Sequence, residues 1–453
     1  MRVPAFATRL IHGLLALALM TRAGVGHAAE GVSGGPAETA ADRELAAQAR
    51  LPTILRLIGE RNPDLSEASA RARGAEAKVG AAARLPDPEL KGELWGVPLS
   101  RPVSFGDANT IMIGLRQSFP AWGSRDAKER AAREDAAAAG DSVEARRQEI
   151  VAQARRAFAS YARADREYRV HLEHVGLTSR VVETARSLYQ SGRGAQQDLL
   201  HAQAELSRLH VDVAAIEQQR RSAQAMLNAL MDRAPEAPLG PVAEAEAPEG
   251  LAAASRDFAA DADARLGERR PELRAAARAV KRSEATLDAA KREANLPAFM
   301  VGADYWYMPM GPWHHAYGAM VSMSLPWLNP GRKDEVKAAE HAMAAERSAL
   351  RAQTAAARYQ LRDTDSKVRA AREVLALIHE RVIPDARRSF ESAQALFQSG
   401  QGDLTALLDA ERNYLQVRID EVRAIGELDS SRADYERAAG RPVAELLGAE
   451  DRR

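Results

Sequence analysis

The segment Trp306-Tyr307-Met308-Pro309-Met310-Gly311-Pro312-Trp313-His314-His315 gathers two thioethers and two imidazoles into one short loop. Soft sulfur with imidazole suits Cu(I) or a similar ion, so Met308, Met310, His314 and His315 are candidate metal ligands. The simpler alternative is a turn in which Met and His are incidental. Three carboxylates, Asp198, Asp403 and Asp409, follow soon after two Gly-Xaa-Gly turns, Gly192/Gly194 and Gly400/Gly402. An acid at a helix start is also favoured by the macrodipole alone. Catalytic patterns are missing from the sequence: it has no cysteine, no Gly-rich phosphate loop after a strand, no His-Glu-Xaa-Xaa-His and no Gly-Xaa-Ser-Xaa-Gly elbow. The chain therefore reads as a non-enzyme without a cofactor.

These residues are positioned by a tandem duplication. Glu60-Arg61-Asn62-Pro63-Asp64-Leu65 recurs as Glu268-Arg269-Arg270-Pro271-Glu272-Leu273, and Tyr189-Gln190-Ser191-Gly192-Arg193-Gly194 recurs as Phe397-Gln398-Ser399-Gly400-Gln401-Gly402, both at an offset of 208. Between them Leu85-Pro86 corresponds to Leu296-Pro297, and Phe119-Pro120 with Gly123 to Leu325-Pro326 with Gly331. The boundaries follow: a first repeat over 51–231, a Pro/Ala/Glu-rich linker over 232–262, a second repeat over 263–440 and a tail over 441–453. Each repeat opens with an Ala/Glu/Arg-rich helix that starts at a proline, Pro63 or Pro271, and stops before a Leu-Pro pair. Long helical runs follow over 124–190 and 333–398, on the order of 100 Å each at about 1.5 Å per residue. After the glycine turns, return helices over 195–231 and 403–438 complete helical hairpins. The second carries Leu404, Leu408, Leu415, Ile419, Val422 and Ile425 at coiled-coil spacing. Pro384 lies inside the second long run and should bend or interrupt it.

Between the first and second helices of each repeat the apolar period changes to two. Phe299, Val301, Ala303, Tyr305 and Tyr307 share one face, opposite Met300, Gly302, Asp304 and Trp306. The returning strand alternates Tyr317, Ala319, Val321, Met323 and Leu325 with small or polar residues. Strands of about 10 residues match a tilted membrane-spanning strand, and Tyr305, Trp306, Tyr307 and Trp313 look like an interfacial girdle. The first repeat has a weaker copy over 89–119, with Lys91, Glu93 and Trp95 facing one way and Leu90, Gly92 and Leu94 the other. A soluble hairpin packed on its own helices is the alternative for either one alone. Four strands cannot close a barrel, and an open edge cannot survive in hydrocarbon, so a membrane reading demands an oligomer.

Residues 1–28 have the order of a signal peptide, with Arg2 and Arg9, an apolar run from Leu10 to Met20, then small residues, followed by an N-terminal extension over 29–50. No cysteine is present for acylation, so a protein without a lipid anchor is expected. With 63 Lys+Arg against 63 Asp+Glu, bulk charge selects no nucleic acid.

The duplication, the strand hairpins before Phe119-Pro120 and Leu325-Pro326, and Phe397-Gln398-Ser399-Gly400 followed by Leu407-Leu408-Asp409-Ala410 together resemble the TolC-type outer-membrane efflux factors. The resemblance covers nearly all of the mature sequence. It implies a mainly α protomer with a small β part, in which long coiled helical hairpins carry four transmembrane β-strands. Such protomers form a homotrimeric duct with a shared barrel in the outer membrane of a Gram-negative bacterium and a large periplasmic portion. It further implies docking of the helix-tip turns to a periplasmic adaptor, and an inner-membrane pump of the RND type. Asp409 and Asp198 resemble the acidic residues of the periplasmic constriction, with Asp403 a further candidate; rings of carboxylates would favour cations. The Met/His loop resembles the heavy-metal CusC/CzcC-like branch, making metal cations the expected cargo. Drug or organic-solute efflux or a type I secretion duct are alternatives. From another class, a periplasmic coiled-coil adaptor or structural rod shares the signal peptide and helical hairpins but predicts a soluble protein.

Overall fold

A computed structural model describes residues 40–97, 108–242, 263–308, 314–399 and 401–440. The expected signal peptide, the tail, residues 243–262 of the linker, and Met310, Trp313 and Gly400 lie outside the described residues. Contacts divide the chain into Met1–Arg43, described only as the first turn of helix α1 (Ala40–Ala47), and Glu44–Arg453, which holds all the rest.

In the first repeat α2 (Leu51–Arg61) and α3 (Pro63–Ala82) precede strands β1 (Glu89–Trp95) and β2 (Thr110–Phe119). The long helix α4 (Ser124–Gln190) and the return helix α5 (Gln196–Leu230) follow. In the second repeat the order is α6 (Leu266–Arg269), α7 (Pro271–Asn295), β3 (Phe299–Tyr307), β4 (His315–Met323), α8 (Gly331–Leu377), α9 (Ile383–Gln398) and α10 (Leu404–Ala438).

Local chemistry accounts for most boundaries. Pro63 and Pro271 occupy the first turns of α3 and α7, where a missing N–H costs nothing. Asn62 caps α3 by accepting from Asp64 N at 3.0 Å and Leu65 N at 3.3 Å, and its Nδ2 donates to Leu230 O at 2.9 Å, tying the start of the repeat to its end. Both helical hairpins close in the same way. Arg193 N and Gly194 N donate to Leu188 O, and Gln401 N and Gly402 N donate to Leu396 O. Gly192 adopts φ 73°, whereas Gly194 and Gly402 are required by close approach: a Cβ on Gly402 would lie 2.8 Å from Phe397 N.

The second long helix is interrupted as Pro384 requires. A π-turn at Ile378–Val382 separates α8 from α9 and leaves Pro384 in the first turn of the new segment. The wider turn removes the proline's clash with a preceding carbonyl, so the rod continues. The uninterrupted α4 packs against α3, α5, α7 and α10, while α10 also packs on α8 and α9. Packing is through thin seams; one of them joins the two hairpin tips through Val181, Ala202, Phe390, Phe397, Leu404 and Leu407.

Part of the expected linker is docked chain. Tyr161 on α4 donates to both Leu239 O and Gly240 O at 2.9 Å, Asp165 accepts from Val242 N, and Val242 bridges Ala49 in parallel. Burial, aided by the Asp165 carboxylate, pushes the Tyr161 phenol up to about 12.

Candidate functional site

The two strand hairpins merge into one antiparallel sheet in the order β1-β2-β3-β4, with β2 and β3 paired in the middle. Its register assigns every side chain to a face, because residues directly opposite share a face and neighbours alternate. One face carries Leu90, Leu94, Ile111, Ile113, Leu115, Phe119, Phe299, Val301, Ala303, Tyr305, Tyr307, Tyr317, Val321 and Met323, and it is exposed. Tyr317 is 90% and Leu90 67% accessible, so this face needs an apolar surrounding that the chain does not itself supply.

The other face holds the charges: Glu89, Lys91, Glu93, Arg116 and Asp304. Lys91 pairs with Glu93, and Arg116 Nη2 lies 3.9 Å from Asp304 Oδ1. Asp304 packs directly over Gly114, where any Cβ would collide with its carboxylate, and the Trp306 ring lies over Gly318. Trp306 thus turns away from the expected aromatic girdle, which on the apolar face consists of Tyr305, Tyr307 and Tyr317 with His315 among them. His315 stacks on Tyr305 and meets Tyr307 at a tilt of 36°, and its Nδ1 is hydrogen-bonded to the Tyr305 hydroxyl. A second aromatic level, missed in the sequence, lies beyond the other end of the strands at Trp122 (86% accessible) and Trp327 (57%). Its sequence signal is the tryptophan one or two residues after Pro120 and Pro326, once per repeat.

The Met/His candidates separate. Met308 N donates to His314 O at 3.0 Å and His314 Nδ1 lies 3.4 Å from Met308 O, which extends the β3–β4 ladder by one pair. Strand alternation puts Met308 and His314 on the charged face and His315 on the apolar one. Among the described residues no group of three or more His, Asp or Glu side chains is placed to hold a metal.

At the helix tips, Asp198 sits half-buried in the first turn of α5, and Asp403 is the exposed N-cap of α10 with no side-chain capping bond. Asp409 is exposed and lies 3.4 Å from Arg412 Nη1. Arg412 also forks onto Glu205 of α5, with Nε to Oε1 at 2.9 Å and Nη2 to Oε2 at 2.6 Å. That hydrogen-bonded guanidinium holds the Glu205 carboxyl below the usual carboxylate range, against a smaller opposing effect of burial. One arginine therefore clasps the two return helices together and partly neutralises Asp409. Beside it Glu411 is buried and accepts from the Thr178 hydroxyl at 2.6 Å. Glu205 and Arg412 carry no local sequence signal, since their partnership spans two hairpins.

A sheet with an exposed apolar face, carried on tandem long helical hairpins, defines the fold class: a TolC-like channel protomer, mainly α with a small β part. The chain belongs to the outer membrane efflux protein family, whose model matches residues 54–233 and 264–441. The fold is similar to CusC (16% identity, TM-score 0.73, covering 91% of this chain and 95% of that one), whose structures concern folding and transmembrane channel formation. It is also similar to the outer membrane protein VceC from Vibrio cholerae (18% identity, TM-score 0.71, covering 86% and 96%). The open state of the Neisseria gonorrhoeae MtrE outer membrane channel is a third such structure (19% identity, TM-score 0.66, covering 87% and 89%). Comparison with curated protein sequences gives no significant match. Among the described residues no helix is long and apolar enough to cross a membrane.

Proposed function

We propose that the protein is the outer-membrane duct of a tripartite efflux system, working as a homotrimer that passively conducts heavy-metal cations delivered by a periplasmic adaptor and an RND-type inner-membrane pump. The observation that carries this reading is the sheet: β1 and β4 each have one unpaired edge, one face is apolar and exposed, and the other is charged. Unpaired edges are intolerable in hydrocarbon, and pairing β4 of one copy with β1 of the next satisfies both. Three copies make twelve strands, with the apolar face toward lipid and the charged face lining the lumen. The helical hairpins then continue as a tube, and their tips carry the adaptor-docking turns at Gly192, Gly194, Gly400 and Gly402. Asp409, with Asp198 and Asp403, supplies the acidic constriction. Cation cargo is favoured by those carboxylates and by the Met and His side chains on the charged face.

Membrane fractionation followed by sizing in detergent tests the assembly: the protein should float with outer membranes and elute as a trimer. Recovery as a soluble monomer would instead support a periplasmic rod. Comparing metal and drug tolerance in a deletion strain tests the cargo, with loss of metal tolerance alone as the expected outcome.

A further inference from the structure

Two titratable side chains between the helical hairpins have unfinished hydrogen bonding. His174 on α4 is 1% accessible and Glu411 on α10 is 4% accessible. Glu411 accepts from the Thr178 hydroxyl at 2.6 Å through Oε1, while its Oε2 and the Nδ1 of His174 have no hydrogen-bond partner. Nδ1 lies 3.9 Å from Glu411 Oε1, about 1 Å longer than a hydrogen bond. Apolar seams close the pair off on both sides, with Val181, Leu407 and Leu408 toward the tip and Val170, Ile419 and Val422 away from it. A buried carboxylate with one oxygen unpaired is costly, and a cation beside it relieves that cost.

We propose that His174 and Glu411 form a proton-operated latch between the two helical hairpins of one protomer, loose when the imidazole is neutral and fastened when acid charges it. Imidazole is the side chain that ordinarily changes charge between about pH 8 and about pH 5. The added proton turns a lone buried charge into a neutral pair, and a small rotation of either side chain brings Nδ1–H onto the carboxylate as a charge-assisted hydrogen bond. Most other charged groups around the pair already have partners. On α10, Arg412 is held by Glu205 of α5 and by Asp409, and Arg418 donates to the Tyr414 hydroxyl and pairs with Glu421. On α5, Asp212 is half-buried two turns beyond Glu205. On α9, Arg387 and Glu391 pair at the surface, and Phe390 stacks on Tyr414, whose ring meets His174 at 5.7 Å. On α4 itself, His171 is turned to Glu167 O at 2.9 Å and Glu173 is exposed. Glu411 is therefore the carboxylate that the imidazolium meets. Because α4 and α10 lie in different repeats, any movement of the second hairpin away from the first must part Glu411 from Thr178 and His174. The latch contributes stability at low pH and loses it as pH rises, the opposite sense to a carboxylate held by arginine. In the duct reading that movement widens the tip, and acid resists it.

Hydrogen–deuterium exchange of the purified, detergent-solubilised protein tests this, once the intrinsic pH dependence of exchange is divided out. Backbone protection around His174 and around Glu411 should rise about tenfold or more from about pH 8 to about pH 5, the size of effect that one charge-assisted hydrogen bond supplies. His174→Gln and Glu411→Gln should each flatten that dependence, and the second keeps the test usable if the first assembles poorly. His171→Gln, whose ring is spent on its own helix, should keep the parent's dependence. Protection in the parent that stays constant or falls in acid, a dependence kept by both His174→Gln and Glu411→Gln, or one lost in His171→Gln would each overturn the proposal. Protection is read without any current, so a parent protein that forms no channel would refute the duct reading and leave the latch standing.

Discussion

Arg412→Ala should unfasten the two return helices. The guanidinium is half-exposed, with 50% of its side chain accessible, but its partner Glu205 retains only 10%. An exposed pair is worth about 0–1 kcal/mol, and breaking a fully buried one costs about 3–5 kcal/mol. The forked geometry and one-sided burial place this clasp between them, at about 2 kcal/mol per protomer. Three clasps acting together supply about 6 kcal/mol, and about 5.5 kcal/mol suffices to carry an equilibrium from 1:99 to 99:1. Purified trimers of Arg412→Ala in planar bilayers should therefore spend most of their time in a larger-conductance state. Glu205→Gln should produce a change of similar size, and the double substitution little more than either single one, because both remove the same interaction. Parent-like currents in both single variants, or strictly additive effects, would refute the clasp. Acidity provides a second handle. A carboxyl lowered by its partner contributes stability that is complete above its ordinary value of 4.5 and lost as pH falls through the lowered value. The clasp should thus be unaffected by this group between neutral pH and the ordinary carboxylate range, and acid should loosen it through Glu205 only below that range.

Removing the exposed carboxylate at the tip, Asp409→Ala, should raise conductance or lessen block by cations in the same bilayers; unchanged current and block would remove Asp409 from the constriction. Gly402→Val would press a Cβ to 2.8 Å from Phe397 N and 2.9 Å from Leu396 C, backbone atoms that cannot yield, so it should lower stability by about 1–3 kcal/mol in thermal unfolding of the detergent-solubilised protein. Tyr161→Phe leaves Leu239 O and Gly240 O without their donor, at about 1–3 kcal/mol. Limited proteolysis should then cut faster within residues 232–242.

Much of the fold is legible in the amino-acid sequence. The helix starts at Pro63 and Pro271, the interruption near Pro384, the turns at Gly192 and Gly402, and the division of β1 into Lys91/Glu93/Trp95 and Leu90/Gly92/Leu94 all come from interactions within a few residues. Caps, ring closure at proline and strand alternation are properties of the local chain, so a sequence carries them openly. The site was less legible. His314 and His315 are adjacent in sequence yet face opposite ways, and Trp306, opposite Tyr305 and Tyr307 by simple alternation, lies over Gly318 of the neighbouring strand, a contact that no local pattern records.

What the sequence determined by itself is the repeated unit, a helix, a strand pair and a long helical hairpin, because duplicated motifs and periodicity need no partner to be recognised. Tertiary structure alone decided that β2 joins β3, leaving β1 and β4 as the edges that demand further copies. It alone brought Arg412 to Glu205 and aligned Met112, Met300 and Met320 on one face. Those relations link segments up to about two hundred residues apart, and nothing in the local chain records which distant surfaces will meet once the hairpins pack.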